Sequence, residues 1–74
     1  MSEDLVKEII AKHQAVEVSE IKNDTSWADL NIDSLDLVEI AMELEEKLEI
    51  DLPDEEIEKV QNFGELMALI NSKV

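Results

Sequence analysis

The chain has 74 residues, 45% of them apolar, and sets 20 acidic side chains against six lysines, one histidine and no arginine, for a formal net charge of −14. A chain this short forms one small domain, taken here as 1–74, that buries roughly 60–65% of its unfolded surface, which excludes two cores and a large enclosed active site. The charge repels nucleic acid and anionic lipid and points to basic protein partners or to cations, while the lack of cysteine removes disulfides and thiol nucleophiles. No apolar run approaches the about 20 residues of a membrane span, and Met1 opens an acidic segment rather than a basic leader. The expectation is a cytoplasmic monomer without membrane insertion.

Leu5, Val6, Ile9 and Ile10 recur at helical spacing between Ser2 and Gln14, which predicts a first helix with Ser2 as its N-cap and Glu3 and Asp4 in its first turn. Residues 15–33 lack a clean period and contain the turn cluster Asn23, Asp24, Thr25 and Ser26. The scattered Val16, Val18, Ile21, Trp27, Leu30 and Ile32 predict that this long connection is ordered and pinned to the core. Residues 34–49, free of Gly and Pro, form the strongest helix. After a turn over Ile50 to Pro53, a short helix is expected from Asp54 to Val60, capped by Asp54 with Glu55 and Glu56 behind it. A last helix is expected from Phe63 to Ser72, where Asn62 and Glu65 have the spacing of a capping box. No segment alternates as a strand. The predicted fold is all-α, a four-helix bundle with a short third helix and a long ordered loop between helices one and two.

The second helix carries two apolar stripes. At 100° per residue, Leu37, Ile40, Ala41, Leu44 and Leu48 share an arc of roughly 100°, the width of a core-facing stripe. Leu35, Val38 and Met42 cluster on nearly the opposite side, edged by Asp36, Glu39, Glu43 and Glu46. A small bundle that wraps its central helix accounts for part of this; a docking face for a basic partner accounts for the coincidence with charge. Between Asp29 and Glu58 stand 13 acids and a single lysine, Lys47.

Ser34 stands between two acids at the start of this helix. Asp29, Asn31 and Asp33 match the opening of a calcium-binding EF-hand loop, but Ser34 and Ile40 occupy the positions that need Gly and a bidentate Glu. No specific metal site is expected, only weak divalent binding among neighbouring carboxylates. Nucleophilic catalysis fails as well: Ser34 has no flanking glycines and no neighbouring base. The single histidine, His13, reads as an exposed residue or one that complements the C-terminal end of helix one. No closed pocket can be argued for paired carboxylates, so an enzyme is not expected. Ser34 is then either a modification acceptor, favoured at a helix N-terminus by unpaired N–H groups and the macrodipole and left exposed by Asp33 as the natural N-cap, or merely the cap.

The run DLNIDSLDLVEIAMELEEKLEIDLPDEEIEKV resembles an acyl carrier protein of the discrete, bacterial fatty-acid-synthesis type. The likeness rests on Asp-Ser-Leu at the start of helix two within D-L-x-x-D-S-L-D, on the V-E and L-E-E steps that follow, and on I-D-L-P-D-E-E before helix three. It implies that Ser34, flanked by Asp33, Leu35 and Asp36, accepts 4′-phosphopantetheine from coenzyme A through a phosphopantetheinyl transferase. Acyl chains then ride as thioesters on the arm and are presented to acyl-synthesis enzymes with basic docking patches. The implied partner face comprises Leu35, Asp36, Val38, Glu39, Met42, Glu43, Glu45 and Glu46, with Asp54, Glu55 and Glu58 on helix three. Asn31 stands where the family usually has Gly, and it tolerates the left-handed conformation better than most residues. Trp27 stands for a common Phe and reads as the core anchor of the loop. The alternatives are a carrier specialised for aminoacyl or polyketide cargo, and an unmodified acidic adaptor that binds basic helices.

Overall fold

In the computed structural model, which describes residues 2–73 apart from the side chain of Ser2, the first helix α1 spans Ser2–Gln14. The expected Ser2 cap therefore lies outside the described residues. Val6, Ile9, Ile10 and Ala11 form its buried face, the spacing of a single helical stripe. The helix stops at Ala15, whose φ is 56°. That left-handed residue turns the chain so that the Val16 N–H donates back to the Ala11 carbonyl at 3.0 Å, the long bond of a Schellman ending.

The connection to the next helix is ordered, as its spaced apolar residues predict. It contains two 3₁₀ turns, Val18–Glu20 and Ala28–Leu30, and buries Ile21, Trp27, Leu30 and Ile32. Val18 departs from expectation, remaining 41% exposed. Hydrogen bonds stitch the loop to the start of the last helix and the residue pair before it: Trp27 N–H to Gln61 O at 3.1 Å, Phe63 N–H to Thr25 O at 3.0 Å, and Gly64 N–H to Asn23 O at 2.8 Å. Ser26 and Asn62 thus form an isolated antiparallel bridge, with no strand among the described residues. The Trp27 indole adds a buried bond from Nε1 to Val60 O at 3.1 Å, which satisfies its one donor. Asn31 takes the left-handed conformation, φ 58°, just before α2.

The second helix, α2, runs Ser34–Leu48 and ends at Glu49, left-handed at φ 55°. Leu37, Ile40, Ala41 and Leu44 are its buried stripe, and Leu48 packs against the core partly buried. The third, α3, is shorter than predicted, Asp54–Ile57; beyond it Lys59 and Val60 donate to Glu56 O and Ile57 O at 3.2 Å each, the tighter i→i+3 pattern that closes a helix. Asp54 is also not the cap. Pro53 holds that place, its backbone extended and its carbonyl accepting from the Glu56 and Ile57 N–H groups at 3.0 and 3.1 Å, and Asp54 is the first helical residue. The last helix, α4, covers Phe63–Asn71 with Asn62 as its cap, its Oδ1 accepting from Glu65 N–H at 2.8 Å. The reciprocal arm lands one residue early: Glu65 Oε1 accepts from Gln61 N–H at 2.8 Å.

The four helices enclose an aliphatic core with Trp27 and Phe63 at its edge and centre, and no polar or charged residue among those described is buried. No helix among them is long and apolar enough to cross a membrane. Lys73 Nζ reaches Glu56 Oε1 at 2.7 Å and ties the end of the chain to α3.

Gly64 is needed for close approach. A Cβ there would stand 2.8 Å from the Asn23 carbonyl oxygen, so Gly64→Ala is expected to destabilise by ~1–3 kcal/mol although alanine favours helix by ~1 kcal/mol. Glu49→Gly should act oppositely, gaining ~1 kcal/mol by relieving a left-handed side chain. Thermal melts that shift in opposite directions bear this out; an unmoved Tm for Gly64→Ala would show that the loop yields freely.

Candidate functional site

Ser34 is exposed and occupies the first helical position of α2. The capping is done by its neighbours. Asp33 Oδ1 accepts from Asp36 N–H at 2.9 Å and Asp36 Oδ2 accepts from Asp33 N–H at 3.3 Å, a reciprocal box that secures the helix start. Asp33, not Ser34, is therefore the N-cap. The serine is left with a solvent-facing hydroxyl beside first-turn N–H groups that lack intrahelical acceptors.

Next to Ser34 opens a cleft of about 280 Å³ between α2, α3 and the loop. Trp27, Ile32, Leu37, Ile57 and Val60 supply its apolar lining, Val38 one wall, and Asp33, Asp54 and Glu58 the charged groups beside Ser34. Sequence periodicity had no means of finding this cleft, because its lining comes from three separate segments. The one available signal was that Trp27 and Ile32 fall in the loop while Ile57 and Val60 fall after a proline, so that loop and short helix had to meet over α2.

The second stripe of α2 does face outward. Leu35 is 74% and Met42 60% exposed, with Glu39 and Glu46 exposed alongside. Val38 is half-buried towards α3 and lines the cleft. Glu43 lies on the other side, in an open groove against α1 with Lys12 and Lys47. Glu45 has a structural task that its spacing did not reveal: half-buried, it accepts the Leu52 N–H on Oε2 at 2.8 Å and so fixes the α2–α3 turn. Asp54, Glu55 and Glu58 are exposed on and just after α3.

His13 is not an isolated surface residue. Half-buried at the end of α1, it sets Nε2 3.1 Å from Glu39 Oε1 across the helix interface. Its Nδ1 lies 3.0 Å from Gln14 Oε1, while Gln14 Nε2 donates to the Leu30 and Asn31 carbonyls at 3.1 and 3.3 Å. With the Gln14 amide so oriented, Oε1 is an acceptor and Nδ1 carries a proton. The imidazole pKa lies above its ordinary 6.5, raised first by the Gln14 bond, opposed by partial burial, and raised further by the Glu39 and Asp36 carboxylates.

Comparison with known proteins identifies the family. The sequence profile of the phosphopantetheine attachment site family matches residues 4–70. The acyl carrier protein of Clostridium acetobutylicum is 46% identical over 68 residues, covering 90% of this chain and 88% of its own length. That of Helicobacter hepaticus is 41% identical over 68 residues, covering 90% of each.

The His13 environment gives a pH signature. A folded-state pKa above the unfolded one stabilises the fold fully below the unfolded value near 6.5, and that contribution is lost as pH rises through the folded value. The Tm advantage of the native chain over His13→Gln is therefore expected near pH 5.5 and should shrink as pH rises past the folded value, with at most ~1 kcal/mol at stake because the Glu39 carboxylate is exposed. A difference that grows with pH would contradict the assigned contacts.

Proposed function

This chain belongs to the acyl carrier proteins, a family built on a phosphopantetheine attachment site, and from that premise we propose that Ser34 is its attachment serine. The observation that carries the reading is the division of labour at the start of α2: Asp33 and Asp36 cap the helix, and the exposed Ser34 hydroxyl stays free of that task. The residues fit the group. A phosphodiester at Ser34 would sit by the positive end of a 15-residue helix, a placement that favours an anion by about 0.3–1 kcal/mol.

Ser34 supplies the oxygen and a separate Mg²⁺-dependent phosphopantetheinyl transferase supplies the catalysis. The serine oxygen forms a bond to the phosphorus that bears pantetheine in coenzyme A, the bond to the departing adenosine bisphosphate breaks, and the hydroxyl proton passes to a base on the transferase. Once attached, 4′-phosphopantetheine provides the thiol that the chain itself lacks, and acyl groups are held there as thioesters. The protein is thus a carrier and not an enzyme. Leu35 and Met42 give the apolar contact for acyl-synthesis enzymes, with Glu39 and Glu46 central. Asp36 and Glu43 extend the acidic surface towards α1; Val38, Glu45, Asp54, Glu55 and Glu58 extend the face towards α3. The reading takes the cytoplasm as the location and 1–74 as one carrier domain.

Incubation with coenzyme A and a broad-specificity phosphopantetheinyl transferase should raise the intact mass by one phosphopantetheine, and Ser34→Ala should abolish the gain. No gain under conditions that convert a control carrier would overturn the assignment and favour an unmodified adaptor.

Docking has its own test. Glu46→Lys should weaken binding to a basic acyl-synthesis partner, most at low salt, with helicity preserved. An unchanged affinity would remove Glu46 from the docking face.

A further inference from the structure

One cluster of potential ligands joins α1 to α2 outside the core and shares only Asp36 with the capping box beside Ser34. His13, Asp36 and Glu39 each offer one ligand atom, and these atoms lie within 4.8 Å of one another. We propose that they form a zinc-type cation site that clamps the end of α1 to the first turns of α2.

The donor set is one imidazole nitrogen and two carboxylate oxygens, from two helices. Zinc bonds of about 2.0–2.2 Å place tetrahedral ligands roughly 3.4 Å apart, so a rotamer adjustment of about 1 Å closes the site and leaves the fourth position to water. Glu39 is exposed and adjusts without disturbing the core. Asp36 spends only one oxygen on the cap at Asp33 and retains the other.

A second observation lies outside the three ligands. The chain from the Leu30 and Asn31 carbonyls through the Gln14 amide to Nδ1 of His13 fixes the ring orientation and the proton position. This is the outer-shell arrangement that holds a metal-binding histidine, its remote N–H donated to a fixed oxygen. Nε2 is thereby aimed at Glu39 Oε1 across 3.1 Å. Two lone pairs facing each other at that separation repel, so the gap takes a positive charge, either the imidazolium proton or a metal ion. Imidazole selects zinc, nickel and similar first-row ions over Mg²⁺ and Ca²⁺, which prefer all-oxygen shells. An ion here also neutralises two acids of the proposed docking face, so binding of the metal and of a basic partner would compete; that consequence, unlike the site, rests on the docking reading.

Titration of the unmodified chain with zinc chloride separates this site from diffuse binding to carboxylates, since no pantetheine thiol is then present. Calorimetry should find one site whose affinity falls roughly 10-fold or more in His13→Gln, with Ca²⁺ binding little changed. Because a variant can fail for structural reasons, the ring ¹⁵N resonances of His13 in the native chain give a second readout: one equivalent of zinc should shift Nε2 and leave Nδ1 protonated. Equal zinc affinity in His13→Gln, or a His13 ring unmoved by stoichiometric zinc, would overturn the proposal.

Discussion

The short run of hydrogen bonds between residues 23–27 and 60–64 is the constraint on which the remainder of the structure depends. A connection of about 19 residues would otherwise leave the start of α2 on a slack tether, since loop closure alone specifies no position. The backbone bonds at Asn23, Thr25 and Trp27, with the indole bond to Val60, hold the loop against the approach to α4. The Ile32 N–H then donates to the Trp27 carbonyl at 2.9 Å, which carries that fixed position to within two residues of Ser34. The same tryptophan lines the cleft beside the serine. Fold and site share one anchor.

From that anchor α2 divides its surface into sectors with different physical duties. The buried stripe supplies hydrophobic stabilisation, the first turn presents a hydroxyl, and the outward stripe presents Leu35 and Met42 among carboxylates. Exposed charges contribute little to folding but strongly affect encounter with an oppositely charged partner. Substitutions on the outer face can therefore retune partner choice with small effect on stability. At its two flanks the helix is tied down differently, by His13 and Glu39 towards α1 and by Glu45 and Leu52 towards α3.

Much of this was legible in the sequence. The core stripe of α2 follows from a period of 3.6 in residues with no other reason to recur, and the caps at Asp33 and Asn62 follow from side chains with few other uses at those positions. Asn31 was readable as left-handed, but Ala15 and Glu49 were not, because neither residue type advertises that conformation. Asp54 was misplaced by one position, since an acid fits both a cap and a first turn and only Pro53 settles which. The length of α3 was overestimated because a one-turn helix has no period to measure. Contacts between distant segments left the least trace: Gln14 with Leu30, His13 with Glu39 and Trp27 with Val60 depend on how helices dock, and the histidine, which does stand in the last turn of α1, gave no sign of its partner on α2.

The chain has one glycine, used for close contact at Gly64 rather than for a turn. Its left-handed positions fall instead to Ala15, Asn31 and Glu49, at the end of α1 and at the two ends of α2. Ala15 and Glu49 hold roughly 1–2 kcal/mol of backbone strain each, Asn31 less, and opening a junction releases it. Side chains at these positions also narrow the freedom of the unfolded chain compared with glycine, which offsets part of that strain. Backbone strain is thus concentrated in the turns that flank the helices and absent from the interior of α2.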